Sequence, residues 1–109
     1  MPNRRYVCVG IGGVGGTICA KLTQSGADVV AVARGAHLRA IQENGLRLRT
    51  PVEDVKLKIN VVSKLSELQP SIGANDVVMV GTKAHQALVV LAEIAELSEP
   101  GSEPAIVCW

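Results

Sequence analysis

The sequence predicts an α/β domain in which helices flank a mostly parallel sheet. Two observations carry that prediction. Short, unbroken apolar runs alternate with stretches of helical periodicity, and the first run opens into a glycine-rich turn that a helix follows at once. Strands buried on both faces of a parallel sheet read as continuous apolar runs because neither face meets water. A third observation, a pair of alternating runs in mid-chain, adds an antiparallel hairpin at an edge of the sheet.

Taken in order, residues 6–10 form a continuous strand and residues 14–25 a helix with Val14, Ile18 and Leu22 on one face, closed by Gly26. Asp28 starts a second strand, Val29-Val30-Ala31-Val32-Ala33, which completes a βαβ unit. Arg34-Gly35 breaks it. Residues 36–44 read as a helix with Leu38 and Ile41 inward, closed by Gly45. In the hairpin, Leu46 and Leu48 alternate with Arg47 and Arg49, and Val55, Leu57, Ile59 and Val61 alternate with Lys56, Lys58 and Asn60. Residues 50–54 form the turn between them. Residues 63–68 suggest a short helix with Ser63 as its cap, and residues 70–75 a loop. Residues 76–80 are another buried strand, and residues 84–97 a helix with Leu88, Leu91, Ala92 and Ala95 inward. Residues 99–104 are a loop, and Ala105-Ile106-Val107-Cys108 begins a last strand.

The chain has 109 residues, enough for one domain. Its net charge of +1 and its single Tyr and Trp argue against a nucleic-acid partner, which would need a basic surface and stacking platforms. Cys8, Cys19 and Cys108 have no metal spacing and read as small buried hydrophobes, which suits a reducing, cytoplasmic setting. Arg4-Arg5 ahead of an apolar stretch imitates a signal peptide, but five glycines within residues 6–19 have a better explanation. No run reaches the ~18 apolar residues of a membrane span.

That explanation is the spacing G-x-G-x-x-G at Gly10, Gly12 and Gly15, between a strand and a helix. The first glycine permits the tight turn, the second lets backbone approach a pyrophosphate, and the third lets the helix pack on the strand. The helix N-terminus then faces the phosphates with free N–H groups. Gly10, Ile11, Gly12, Gly13, Val14 and Gly15 are therefore candidate cofactor contacts. A P-loop is excluded, because Gly16-Thr17 is not followed by Lys-Ser/Thr.

The end of the second strand selects the cofactor. An NAD site places an acid there, about 20 residues past the glycines, to accept from the ribose 2′-hydroxyl. Here stand Ala33 and Arg34. A guanidinium suits a 2′-phosphate, so NADP(H) is expected rather than NAD(H). The missing acid also argues against an S-adenosylmethionine methyltransferase. Lys83 and Gln86 follow the strand of residues 76–80 and can face the same cofactor, or simply water. Glu93 and Glu96 read as the solvated face of the last helix. His37 and His85 lack a paired carboxylate, and no nucleophile elbow or metal cluster appears, so no catalytic or metal residue is assigned.

These residues resemble the N-terminal domain of the ketopantoate reductase (2-dehydropantoate 2-reductase) family. The matching segments are Gly10-Ile11-Gly12-Gly13-Val14-Gly15, Val32-Ala33-Arg34-Gly35-Ala36-His37-Leu38, Asn44-Gly45-Leu46-Arg47-Leu48 and Lys83-Ala84-His85-Gln86. The resemblance implies a Rossmann-type fold, with Arg34 on the NADP 2′-phosphate and Lys83 and Gln86 lining the cleft. It implies hydride transfer from NADPH to the 2-keto group of 2-dehydropantoate, giving pantoate for pantothenate synthesis. In the family, an Asn-Gly segment follows the last strand, and a helical second domain supplies a lysine acid and a substrate-binding glutamate. The chain stops at Trp109, ahead of these, so a truncated cofactor domain, inactive alone, is expected. The small-molecule substrate would meet the missing domain. Gly81-Thr82 stands where the family usually has aliphatic residues. A stand-alone NADP(H)-binding module and a reductase of another 2-keto acid are the other readings.

Overall fold

The computed structural model describes residues 4–10, 14–69, 71–82 and 84–108. Five parallel strands form the main sheet: β1 (Arg5–Val9), β2 (Asp28–Val32), β5 (Asn60–Val62), β6 (Asp76–Val80) and β7 (Ala105–Cys108), in the order β5-β2-β1-β6-β7. The helices are α1 (Val14–Gln24), α2 (Gly35–Asn44) and α3 (Ala84–Leu97), with a 3-10 turn at Leu65–Glu67. This is the α/β architecture expected, with β1, β2 and β6 each beginning or ending within a residue of its apolar run.

Side chains alternate across the sheet and so build two cores. Val7, Val9, Val30, Val78 and Val80 face Ile94 of α3 and Leu65, Leu68 and Ile72. Cys8, Val29 and Ala31 face the other way, against Cys19 and Ala20 of α1, Ile41 of α2, and Leu46 and Leu48. Small residues at Cys8, Ala31, Cys19 and Ala20 let α1 lie close to the sheet. Gly26, with φ +89°, ends that helix; its N–H donates to the Thr23 carbonyl and the Ala27 N–H to that of Leu22, both at 3.1 Å.

The antiparallel hairpin is present as β3 (Leu46–Thr50) and β4 (Glu53–Leu57), but as a separate two-stranded sheet. It lays Leu46 and Leu48 onto α1. Lys21 Nζ (2.8 Å) and Gln24 Nε2 (3.1 Å) donate to Glu53 and hold its carboxyl below the usual range. The strand that extends the main sheet here is β5, paired in parallel with β2. Residues 55–61, one alternating run in the sequence, are therefore two strands. Around the 3-10 turn, Ser63 does not cap: the N-cap is Lys64, and the Ser63 N–H and hydroxyl both donate to Glu67 Oε1.

Two burial assignments change. In α3 the inward residue is Ile94, with Ala87 and Val90 partly buried, while Leu88 is 69% exposed and Ala92 and Ala95 face water. The helix is apolar nearly all round, so periodicity cannot choose its face. Cys108 is exposed, because β7 is an edge strand with Ile106 and Val107 also open. Cys8 and Cys19 are buried as expected, and the hydrogen bond from Cys19 to Cys8, with burial, pushes the Cys19 thiol up.

Candidate functional site

In a parallel α/β sheet, ligands bind beyond the carboxyl ends of the strands where the strand order reverses. Here β1 has β2 on one side and β6 on the other, and the chain crosses from β5 to β6, so the reversal falls at the ends of β1 and β6. A cleft of about 330 Å³ opens at these ends. Its walls include Gly10, Arg34, Thr82 and Gln86, with Val32, Leu65 and Val90 beneath. Three sequence candidates from three separate segments, Gly10, Arg34 and Gln86, thus meet in one place. Val14 and Gly15 lie in the first turn of α1. Ile11, Gly12, Gly13 and Lys83 lie outside the described residues.

Gly10 makes the turn out of β1 with φ +80°. A Cβ here would lie 2.8 Å from the Gly81 carbonyl carbon, and 2.9 Å from both the Thr82 nitrogen and its methyl group. The Gly81 N–H donates to the Val9 carbonyl at 2.8 Å, which locks the two strand ends together. The lack of a side chain therefore lets the end of β1 lie directly against the Gly81–Thr82 backbone at the cleft.

Arg34 is the N-cap residue of α2, with extended backbone (φ −128°, ψ 156°) and no side-chain cap bond. Its carbonyl accepts from the Leu38 N–H at 3.3 Å. Among the described residues its guanidinium has no hydrogen bond or ion pair, and the side chain is exposed at the cleft wall. It can swing onto an anionic group without breaking an existing contact. The residue before it, Ala33, is 7% exposed and supplies no acid.

Two cleft residues escaped the sequence reading. Glu93 is half-buried on the cleft wall, not on the solvated face with Glu96. It lies two helical turns beyond Gln86, and Val89 and Val90 complete that face of α3. The i, i+3, i+4, i+7 spacing was the available signal. Thr82 is the other: its Oγ1 is sealed from solvent and, among the described residues, has no hydrogen-bond partner. A buried, unpaired hydroxyl costs about 1–3 kcal/mol.

The residues present fit a dinucleotide. A side-chain-free, positive-φ glycine at the end of β1, an uncommitted guanidinium at the next strand end and an orphaned hydroxyl share one cleft. A larger cavity, about 510 Å³, sits at the opposite end of the sheet between Thr23, Ile41 and Asn60. It lies at the amino ends of β2 and β5, against the carboxyl end of α2 with its Gly45 cap, and no helix N-terminus lines it, so the smaller cleft is the better candidate. Among the described residues no helix is long and apolar enough to cross a membrane.

Comparison with known proteins agrees with this geometry. The family model described as ketopantoate reductase PanE/ApbA matches residues 6–108. A 2-dehydropantoate 2-reductase of Mesorhizobium japonicum is 44% identical over 89 residues, covering 81% of this chain and 26% of that protein. The crystal structure of a proposed ketopantoate reductase from Ralstonia solanacearum MolK2 superposes with a TM-score of 0.76 at 34% identity, covering 99% of this chain and 32% of that one. A ternary structure of D-mandelate dehydrogenase with NADH and anilino(oxo)acetate gives 0.72 at 26%, covering 96% of this chain and 33% of that one. The chain spans about a quarter of the length of the curated relatives it matches. With a family model matched along nearly its whole length, the chain belongs to the ketopantoate reductase PanE/ApbA family.

Proposed function

We propose that this chain is the cofactor-binding half of an NADPH-dependent 2-keto acid reductase, acting on 2-dehydropantoate to give pantoate in pantothenate synthesis. The observation that carries the cofactor choice is Arg34: an uncommitted guanidinium on the cleft wall, where an NAD site would place an acid. The Gly10 turn and the α1 N-terminus receive the pyrophosphate, Arg34 holds the 2′-phosphate, and Gln86, with Lys83 beyond the described residues, lines the remaining wall. When bound, the reduced nicotinamide supplies the hydride for the 2-keto carbon. The lysine that serves as proton donor and the glutamate that binds substrate belong to a second domain, as the family resemblance implies. Three free thiols suit a cytoplasmic setting.

Arg34→Ala tests the assignment. Losing charge-assisted bonds worth about 1.5–3 kcal/mol should weaken NADPH binding roughly 10- to 150-fold and leave NADH nearly unchanged. Fluorescence titration of both nucleotides reads this directly, and an equal loss for both would remove Arg34 from the 2′-phosphate. A second expectation concerns chemistry. The 109-residue chain alone should not oxidise NADPH when given 2-dehydropantoate, and turnover by a purified sample would show that it holds its own proton donor. The likeness to D-mandelate dehydrogenase favours one further reading, a reductase of another 2-keto acid. It predicts a different preferred substrate once the second domain is present.

A further inference from the structure

Thr82 has a hydroxyl that the fold does not use. It lies two residues past the end of β6 and lines the cleft, and its methyl group would press on any Cβ at Gly10. Its Oγ1 is closed off from solvent and, among the described residues, unpaired. A hydroxyl can donate one hydrogen bond and accept two, and buried side-chain polar atoms in folded proteins rarely go without any. Valine would fill the same shape with no such cost. The hydroxyl thus costs this chain stability on its own, which makes sense where a ligand completes the cleft.

We propose that Thr82 Oγ1 donates a hydrogen bond to an oxygen of the adenosine half of the bound dinucleotide, on its ribose or the adjoining phosphate. The inference rests on the reading of this cleft as a dinucleotide site. Its placement follows from the neighbours: Val32, Ala33 and Arg34 of the β2 end line the same cleft, and Gly10 is the pyrophosphate turn. One rotation about the Thr82 Cα–Cβ bond puts the hydroxyl where the methyl now lies, against Gly10 on the cleft wall. A nearby acceptor oxygen supplies the reason for that rotation, and the orphaned group becomes a satisfied one.

The test uses the full chain as wild type, Thr82→Val and Thr82→Ser, titrated calorimetrically with NADPH and with adenosine 2′,5′-bisphosphate, together with the thermal midpoint of each protein without ligand. Thr82→Val should melt at or above the wild-type midpoint, since it removes an unpaired buried hydroxyl. It should nevertheless bind both ligands roughly 5- to 20-fold more weakly. Thr82→Ser, which keeps the hydroxyl, should bind within about threefold of wild type. Wild-type affinity in Thr82→Val, or a Thr82→Ser variant as weak as Thr82→Val, overturns the proposal, and so does a loss confined to NADPH. A wild-type chain that binds neither ligand is a distinct outcome and overturns the dinucleotide reading itself.

Discussion

Gly10→Ala is expected to destabilise the chain by roughly 2–5 kcal/mol and to abolish tight NADPH binding. Two costs add. A left-handed backbone costs a Cβ-bearing residue about 1–2 kcal/mol. The new methyl then meets the Gly81 carbonyl carbon at 2.8 Å and the Thr82 nitrogen at 2.9 Å. These are backbone atoms, pinned by the Gly81 N–H bond to Val9, so they cannot swing aside as a side-chain tip would. Relief requires β1 and β6 to part at their carboxyl ends, where the cofactor would sit. Gly26→Ala separates the two costs, because Gly26 has φ +89° and open space around it. It should lose only about 1–2 kcal/mol and keep its cofactor affinity. Urea unfolding of both variants measures the difference, and equal losses would mean that the Gly10 contact with Gly81 and Thr82 carries no energy.

The second large effect lies at the other end of the same two strands. Arg5 Nε and Nη2 donate to the two Asp76 carboxylate oxygens at 2.7 and 2.8 Å, and the Gly73 N–H adds a bond to Oδ2 at 2.9 Å. Arg5 is 8% exposed and Asp76 4%, so neither charge has water to fall back on. Asp76→Ala strands a buried guanidinium and should cost about 3–5 kcal/mol, lowering the melting midpoint by roughly 10–20 °C. Arg5→Met combined with Asp76→Leu should restore most of it, since a packed apolar pair often matches a buried ion pair. A double variant no better than Asp76→Ala would show that the ion pair itself, rather than the orphaned charge, governs stability. Because the pair sits at the amino ends of β1 and β6, these variants should leave the cofactor preference of the remaining folded chain intact.

That ion pair also marks a limit of reading the sequence. Arg5 and Asp76 are 71 residues apart, and no local pattern joins them. Arg5 resembled part of a targeting signal, yet it is the anchor between adjacent strands in register. The buried parallel strands were legible because a run such as Val77-Val78-Met79-Val80 is apolar without a break and is bounded by turn residues. The same uniformity hides which side of α3 faces the sheet, so periodicity points Leu88 inward where Ile94 belongs. Alternation in residues 55–61 reported one wet face but not the change of partner, from β3 to β2, that happens between Leu57 and Asn60. At the site, Gly10 and Arg34 were legible because a glycine turn and a strand end are local features. Gln86 needed the resemblance to become a strong candidate, and Thr82 became visible only when the packing around its hydroxyl was known.

The proposed ligand of the cleft at the ends of β1, β2 and β6 is a dinucleotide carrying a 2′-phosphate. Calorimetric titration of the wild-type chain with NADPH and with NADH, at matched ionic strength, tests it most directly. One nucleotide per chain, with NADPH bound at least about tenfold more tightly, is the predicted result. Equal affinities, or tighter binding of NADH, would contradict it.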